Sequence, residues 1–239
     1  MFARLIFAFV CTAVLAAAPV RAQEQPAEPV PVDLRLVLAI DSSSSVQMSQ
    51  YYLQLQGYAA AFRHPDVLAA VRSGPNQAIA VALFEWSGAR QQQINLGWRI
   101  LRDEDDLRHY ADELAVAPRL VTGGETAIGA AINYALRLLD DDDTTAPRLV
   151  IDVSGDGANN QEPPVTAARD AAADRGITVN GLAVLHKEPD LADHYRRNVI
   201  AGADAFVITA TTYADFADAM LRKLVREIKV AQARSQIGR

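Results

Sequence analysis

Cysteine is almost missing from this chain: the 239 residues hold one, Cys11, which excludes a disulfide framework and any cysteine-built zinc or iron–sulfur site. Metal chemistry then has to use oxygen or histidine. The four histidines, His64, His109, His186 and His194, show no close metal-ligand spacing, so oxygen is the better candidate. Positive charge is also short. Lys+Arg 23 against Asp+Glu 29 leaves a net charge of −6, without the basic field that a nucleic-acid duplex or an anionic membrane surface requires. No lysine occurs before Lys187. A P-loop and a Gly-x-Ser-x-Gly elbow are both absent, which removes the commonest nucleotide-binding and serine-hydrolase signatures.

What is present is the composition of an ordinary globular protein, 50% hydrophobic and 22% charged. The first 22 residues read as a secretory leader: Arg4 gives a positive start, Leu5 to Ala18 is apolar, and Val20-Arg21-Ala22 ends the run with small residues where a signal peptidase reads. That run of about fourteen residues is short of the roughly twenty that span a bilayer. Removing it takes Cys11 with it, moves the net charge to about −8, and predicts a periplasmic or secreted chain with no membrane insertion after cleavage. Residues 23–32, with Pro26, Pro29 and Pro31, read as an extended tether. One domain is expected from Asp33 to Arg239.

Within that domain, apolar runs of strand length alternate with amphipathic helical stretches, the pattern of a parallel sheet covered by helices on both faces. Strands are predicted at Leu34–Ile40, Ala78–Phe84, Arg148–Val153, Thr178–Val184 and Ala205–Ile208. Gln91–Leu96, alternating polar and apolar after Ser87-Gly88, is expected to form an antiparallel edge strand. Helices are expected from Val46 to about Phe62 and over Glu104–Ala115, Ala127–Leu139, Val165–Arg175, Leu191–Ile200 and Tyr213 to about Ala231, with only a short turn at Asp66–Val71.

In a doubly wound sheet, ligands sit beyond the carboxyl ends of the strands, where the strand order reverses. The loops there are Asp41-Ser42-Ser43-Ser44-Ser45 after the first strand and Ser154-Gly155-Asp156-Gly157 after the Arg148–Val153 strand. A third loop, Thr122-Gly123-Gly124-Glu125-Thr126, opens the helix before that second strand, and its glycines permit close approach to a neighbouring loop. Two carboxylates converging in a crevice repel unless a cation or proton separates them. Carboxylate and hydroxyl oxygens suit a hard divalent ion such as Mg²⁺.

Asp41-x-Ser43-x-Ser45, Thr126 in its glycine-rich loop and Asp156-Gly157, in that order on this α/β pattern, resemble the metal-ion-dependent adhesion site of the von Willebrand factor A (vWA) domain. The resemblance covers nearly the whole chain after Asp33 and looks like a secreted, single-domain bacterial branch of uncharacterised function. It implies a six-stranded, mostly parallel sheet with helices on both faces, in which the first and fourth strands are neighbours. It also implies Mg²⁺ or Mn²⁺ bound directly by Ser43 and Ser45, directly or through water by Thr126, and mostly through water by Asp41 and Asp156. The implied function is a non-enzymatic binding module whose metal is completed by a carboxylate of a partner protein. One position departs from the family, which usually has Thr-Asp-Gly where this chain has Gly155-Asp156-Gly157.

Plainer roles compete with these. Ser43, Ser45 or Thr126 could simply cap the following helices, and Asp156-Gly157 could be only a turn. Asp140 to Asp143 read as a solvated charge run that could attract Ca²⁺. Glu85-Trp86 could reach the metal rim, with Trp86 as an exposed anchor, or be buried against the edge strand. Asp152, inside an apolar strand, must find a partner or face an edge, and is read as structural. The competing enzyme is a haloacid-dehalogenase-like phosphatase with Asp41 as nucleophile. Against it stand Ser43, where that family has its acid–base aspartate, and the lack of a lysine between the two acidic loops.

Overall fold

The computed structural model describes residues 28–140 and 144–237. The expected leader (residues 1–22), residues 23–27 of the expected tether and Asp141 to Asp143 lie outside the described residues. In chain order come β1 (Val30–Pro31), β2 (Leu34–Asp41), α1 (Met48–Phe62), α2 (Pro65–Arg72), β3 (Ile79–Trp86), β4 (Gln92–Leu101), α3 (Glu104–Val116) and α4 (Ile128–Leu138). They are followed by β5 (Thr144–Thr145), β6 (Leu149–Gly155), α5 (Val165–Asp174), β7 (Thr178–Val184), α6 (Leu191–His194), β8 (Val207–Ala210) and α7 (Phe216–Ile237). The six-stranded sheet has the order β4-β3-β2-β6-β7-β8. Only β4 is antiparallel to its neighbour. The first and fourth strands of this sheet, β2 and β6, are therefore adjacent at the reversal point.

Alternation along β2 explains why the sheet is covered on both faces. Leu34, Leu36, Leu38 and Ile40 point into a core shared with Tyr51, Tyr58 and Phe62 of α1 and Phe216, Met220 and Leu224 of α7. Val37 and Ala39 point the other way, towards Ile128 and Ile132 of α4 and Ala168 and Ala172 of α5. Since burying each large side chain is worth roughly 2 kcal/mol, a one-residue slip that exchanges the two faces would be heavily penalised, and the register is fixed. Fixing the register also fixes Asp41 as the residue that emerges at the strand's end.

Several boundaries differ from the expectation. The turn at Asp66–Val71 is a helix, α2, because His64 accepts a hydrogen bond from the Asp66 N–H through Nδ1 (3.2 Å), Pro65 begins the first turn, and Val67, Ala70 and Val71 bury one face. Strand β4 runs on to Leu101, since register shifts opposite Val81 and Leu83 break the alternation by which its length was judged. The stretch Leu191–Ile200 is one α-turn followed by a π-helical turn over Tyr195–Val199. Strand β8 starts two residues late because Gly202 and Asp204 hold positive φ in the preceding turn. The end of the tether joins the domain: β1 pairs with β5, and the Val32 N–H bonds the Thr145 carbonyl (2.8 Å). Among the described residues, no helix is long and apolar enough to cross a membrane.

Candidate metal centre

All five residues singled out for a metal lie in the three loops at the carboxyl ends of β2 and β6. Asp41 ends β2, and its Oδ1 accepts the Ser43 N–H (2.8 Å), which folds the chain back so that the next side chains face the crevice. The Ser43 and Ser45 hydroxyls are 3.0 Å apart, and the Ser45 hydroxyl donates to Asp156 Oδ1 (2.5 Å). The loops after the first and fourth sheet strands are thus in direct contact through residues 111 positions apart in sequence. A Cβ placed on Gly157 would lie 3.6 Å from Thr126 Oγ1, so the threonine hydroxyl stands against the Asp156-Gly157 turn.

Helix capping does not account for the three hydroxyls. The cap residue of α1 is Gln47, whose N–H is taken by Gln50 Oε1 (2.8 Å), and α4 has Ala127 at its cap with no side-chain bond. The open N–H groups near α4 are instead met from the Asp156 loop: Asn160 Oδ1 accepts from Thr126 N (2.8 Å) and Asn159 Oδ1 from Gly129 N (3.4 Å).

The loops are held by Arg119, which carried no sequence signal, and by Glu85, whose role the sequence left open. Arg119 donates to the Ser42 carbonyl (2.7 Å), the Ser43 carbonyl (3.2 Å), the Val46 carbonyl (3.0 Å) and the Ser42 hydroxyl (2.8 Å). Glu85 is fully buried and accepts from Val121 N (2.7 Å), Leu120 N (3.0 Å) and the Tyr51 hydroxyl (2.6 Å). It fixes the segment that carries Arg119 and does not reach a metal rim. Trp86 is fully buried as well, which excludes the exposed-anchor alternative. Gly124, at φ 88°, passes so close to Ser87 Oγ that a Cβ there would lie 2.5 Å from it.

Electrostatically the centre is under-compensated. Asp41 and Asp156 are both buried, and Oδ2 of each lacks a hydrogen-bond partner. Burial raises the Asp41 carboxyl to about 7; the Ser43 hydrogen bond pulls the other way, and the Asp156 charge pushes it further up. The Tyr195 and Tyr213 hydroxyls are buried nearby, the first without a hydrogen-bond partner, and burial followed by the two carboxylate charges raises both phenols far above their ordinary value. The departure at Gly155 has a steric reason: a Cβ there would lie 2.8 Å from the Tyr195 hydroxyl and 2.9 Å from Asp41 Oδ2. The threonine usual in the vWA family has no room.

One cation does come to the site. Lys187, in the loop after β7, lies 3.3 Å from Asp156 Oδ2 and donates to the Ser45 carbonyl. The sequence signal for it was its place in a third carboxyl-end loop, next to that of β6. Among the described residues no three His, Cys, Asp or Glu side chains gather, so the available donors are two carboxylates and three hydroxyls. That set fits a hard divalent ion: Asp41 Oδ2 has no partner, a single ammonium faces the two carboxylates, and neutral hydroxyls leave the ion room for water or an outside oxygen.

The family described as "Protein of unknown function (DUF1194)" matches residues 31–232. The chain belongs to this family. No curated protein matches the sequence. Among solved structures, the DUF1194 chain is similar to proximal thread matrix protein 1 from the mussel byssus, at 17% identity and TM-score 0.54 over 85% of this chain and 46% of that one. A form of that protein with a zinc-occupied metal-ion-dependent adhesion site aligns at 14% identity and TM-score 0.58, over 83% of this chain and 48% of that one. The vWF domain of the type V pili tip protein Mfa5 from Porphyromonas gingivalis aligns at 14% identity and TM-score 0.57, over 86% of this chain and 97% of that one. The chain spans less than half the length of the mussel protein. The fold is that of a vWA domain. The acid–base aspartate of the phosphatase alternative has no counterpart, since Ser43 holds that position and bonds Ser45.

Proposed function

We propose that this DUF1194 chain is an exported, metal-dependent protein-binding module. Asp41, Ser43, Ser45, Thr126 and Asp156 would hold Mg²⁺ or Mn²⁺, and a partner protein would complete the ion with a carboxylate. The observation that carries this reading is the pair of buried carboxylates, Asp41 Oδ2 without a partner and Asp156 Oδ2 facing the part-exposed Lys187 ammonium, beside three hydroxyls that cap nothing. One part-exposed ammonium against two buried carboxylates leaves negative charge under-compensated at a cost of several kcal/mol, and a divalent ion removes that cost. Mostly neutral direct ligands leave the ion much of its charge, which an acidic side chain from outside can satisfy. The mussel structure with zinc at its adhesion site and the pilus-tip vWF domain support the same reading by fold.

Because the donors come from three loops, ion binding should stabilise the fold by mass action. The melting temperature is expected to rise when millimolar Mg²⁺ or Mn²⁺ replaces chelator, and the rise is expected to vanish in Asp41→Ala. Equal melting temperatures for both proteins across that series would count against a metal at these residues.

A further inference from the structure

We propose that Lys187 is a tethered cation that competes with the metal ion, so that a divalent ion enters the site only by displacing its ammonium. The inference rests on the metal-site reading above and concerns what sets the affinity of that site. The Lys187 ammonium pairs with Asp156 Oδ2, the oxygen of that carboxylate that makes no hydrogen bond, and donates to the carbonyl of Ser45, whose hydroxyl is itself a metal-ligand candidate. One contact is to the loop after β6 and the other to the loop after β2. None is made to Asp41, whose Oδ2 keeps no partner. The single charge of the ammonium therefore compensates one carboxylate and leaves the other for the ion.

The backbone presents this lysine to the site. Its neighbour Glu188 accepts the Ala158 N–H (3.1 Å), and a Cβ on Gly157 would lie 3.6 Å from Glu188 Oε1, so the loop after β7 is docked on the Asp156 loop. The side chain of Lys187 is nonetheless 38% exposed. A strongly hydrated ammonium on a flexible stem can leave for water at modest cost, which a buried lysine could not do. It can also swing into the adjoining cleft of about 410 Å³, lined by Glu188, Asp190 and His194 among others. The lysine thus holds the acidic loops together without the ion, and yields to a doubly charged ion that compensates both carboxylates, mostly through water. Since the ion-competent state is only that fraction of molecules in which the lysine is out, apparent affinity falls by the same fraction.

The test is Mn²⁺ titration of the full chain by calorimetry, with melting temperature in chelator as a second readout, for wild type, Lys187→Met and Lys187→Arg. Lys187→Met keeps the apolar stem and removes the charge. It is expected to bind Mn²⁺ roughly tenfold more tightly, within the range common for coupled ligands, and to melt at a lower temperature in chelator. Lys187→Arg should stay near wild type in both. If wild type binds Mn²⁺ and Lys187→Met binds it equally or more weakly, the competition is overturned while the metal site stands. If neither protein binds Mn²⁺ and Asp41→Ala melts as wild type does with and without the ion, both readings fall.

Discussion

Arg119 shows how much of this site depends on a residue without a motif. Its planar guanidinium reaches three carbonyls and a hydroxyl of the Ser42–Val46 loop at once, a fork that the single-point ammonium of lysine cannot reproduce. Arg119→Lys is therefore expected to lower stability by about 2 kcal/mol, the scale of lost charge-assisted hydrogen bonds, in urea unfolding. It should also weaken Mn²⁺ binding, because Ser43 and Ser45 lose their fixed backbone. Unchanged stability and affinity would show that Glu85 and the loop's own bonds suffice. At the same scale, the three loops were legible from their places at strand ends and a helix entry, and the choice of Asp41, Ser43, Ser45, Thr126 and Asp156 within them came from the vWA resemblance. Arg119 gave no signal, Glu85 was singled out without its role, and Lys187 offered only its place after β7, because contacts across 77, 35 and 142 positions leave no trace in local pattern.

Among elements, α7 and β6 share a buried charged cluster. Asp152 lies 2.7 Å from Lys223, which also pairs with Glu227 (2.5 Å), and Asn180 of β7 bonds Glu227 (2.8 Å). Tyr58 of α1 lies close by, and Arg148 donates to the Glu227 carbonyl (3.0 Å). Two carboxylates face one ammonium with all three side chains fully buried. Burial raises Asp152 to about 7; Lys223 pulls it down, and Glu227 pushes it up. A carboxyl whose folded pKa lies above its unfolded one binds more protons in the fold, so its contribution to stability is greatest below the unfolded value, about 4, and is lost as pH rises towards 7. Asp152→Asn should remove that part of the slope and leave the Lys223–Glu227 pair intact. Urea unfolding of both proteins in chelator from about pH 4 to pH 7 measures it, and parallel curves would refute the assignment.

The sequence expectation that Asp152 must find a partner was sound, yet which helix supplies it was invisible. The same holds for α2, where only a short turn was expected, and for β4, whose bulges hide its alternation. Element type was legible wherever burial imposed one clear period. Boundaries were lost where a cap, a bulge or a positive φ decided them.

At the scale of the whole molecule, the proposed export and partner binding belong to one experiment. A tagged full-length chain recovered from the periplasm or medium should have the intact mass of a chain beginning near Gln23, and should capture a partner from envelope extract through an acidic residue. Capture should be lost in chelator, restored by Mg²⁺ or Mn²⁺, and reduced in Ser43→Ala. Removing the ion–carboxylate contact should cost several kcal/mol, as truncating one member of a buried charge pair does. A retained Met1 would refute export, and capture equal in all conditions would place recognition elsewhere on the surface.

The sequence alone determined the doubly wound sheet, its antiparallel edge and the three loops that meet, because hydrophobic period and strand-end position are local properties that dictate which residues emerge at one end. Only the tertiary structure decided that Gly155 is required by Asp41 and Tyr195, that Glu85 and Trp86 are interior, and that Lys187 reaches Asp156. Those outcomes depend on side chains brought together across the reversal point, where distance in space bears no relation to distance along the chain.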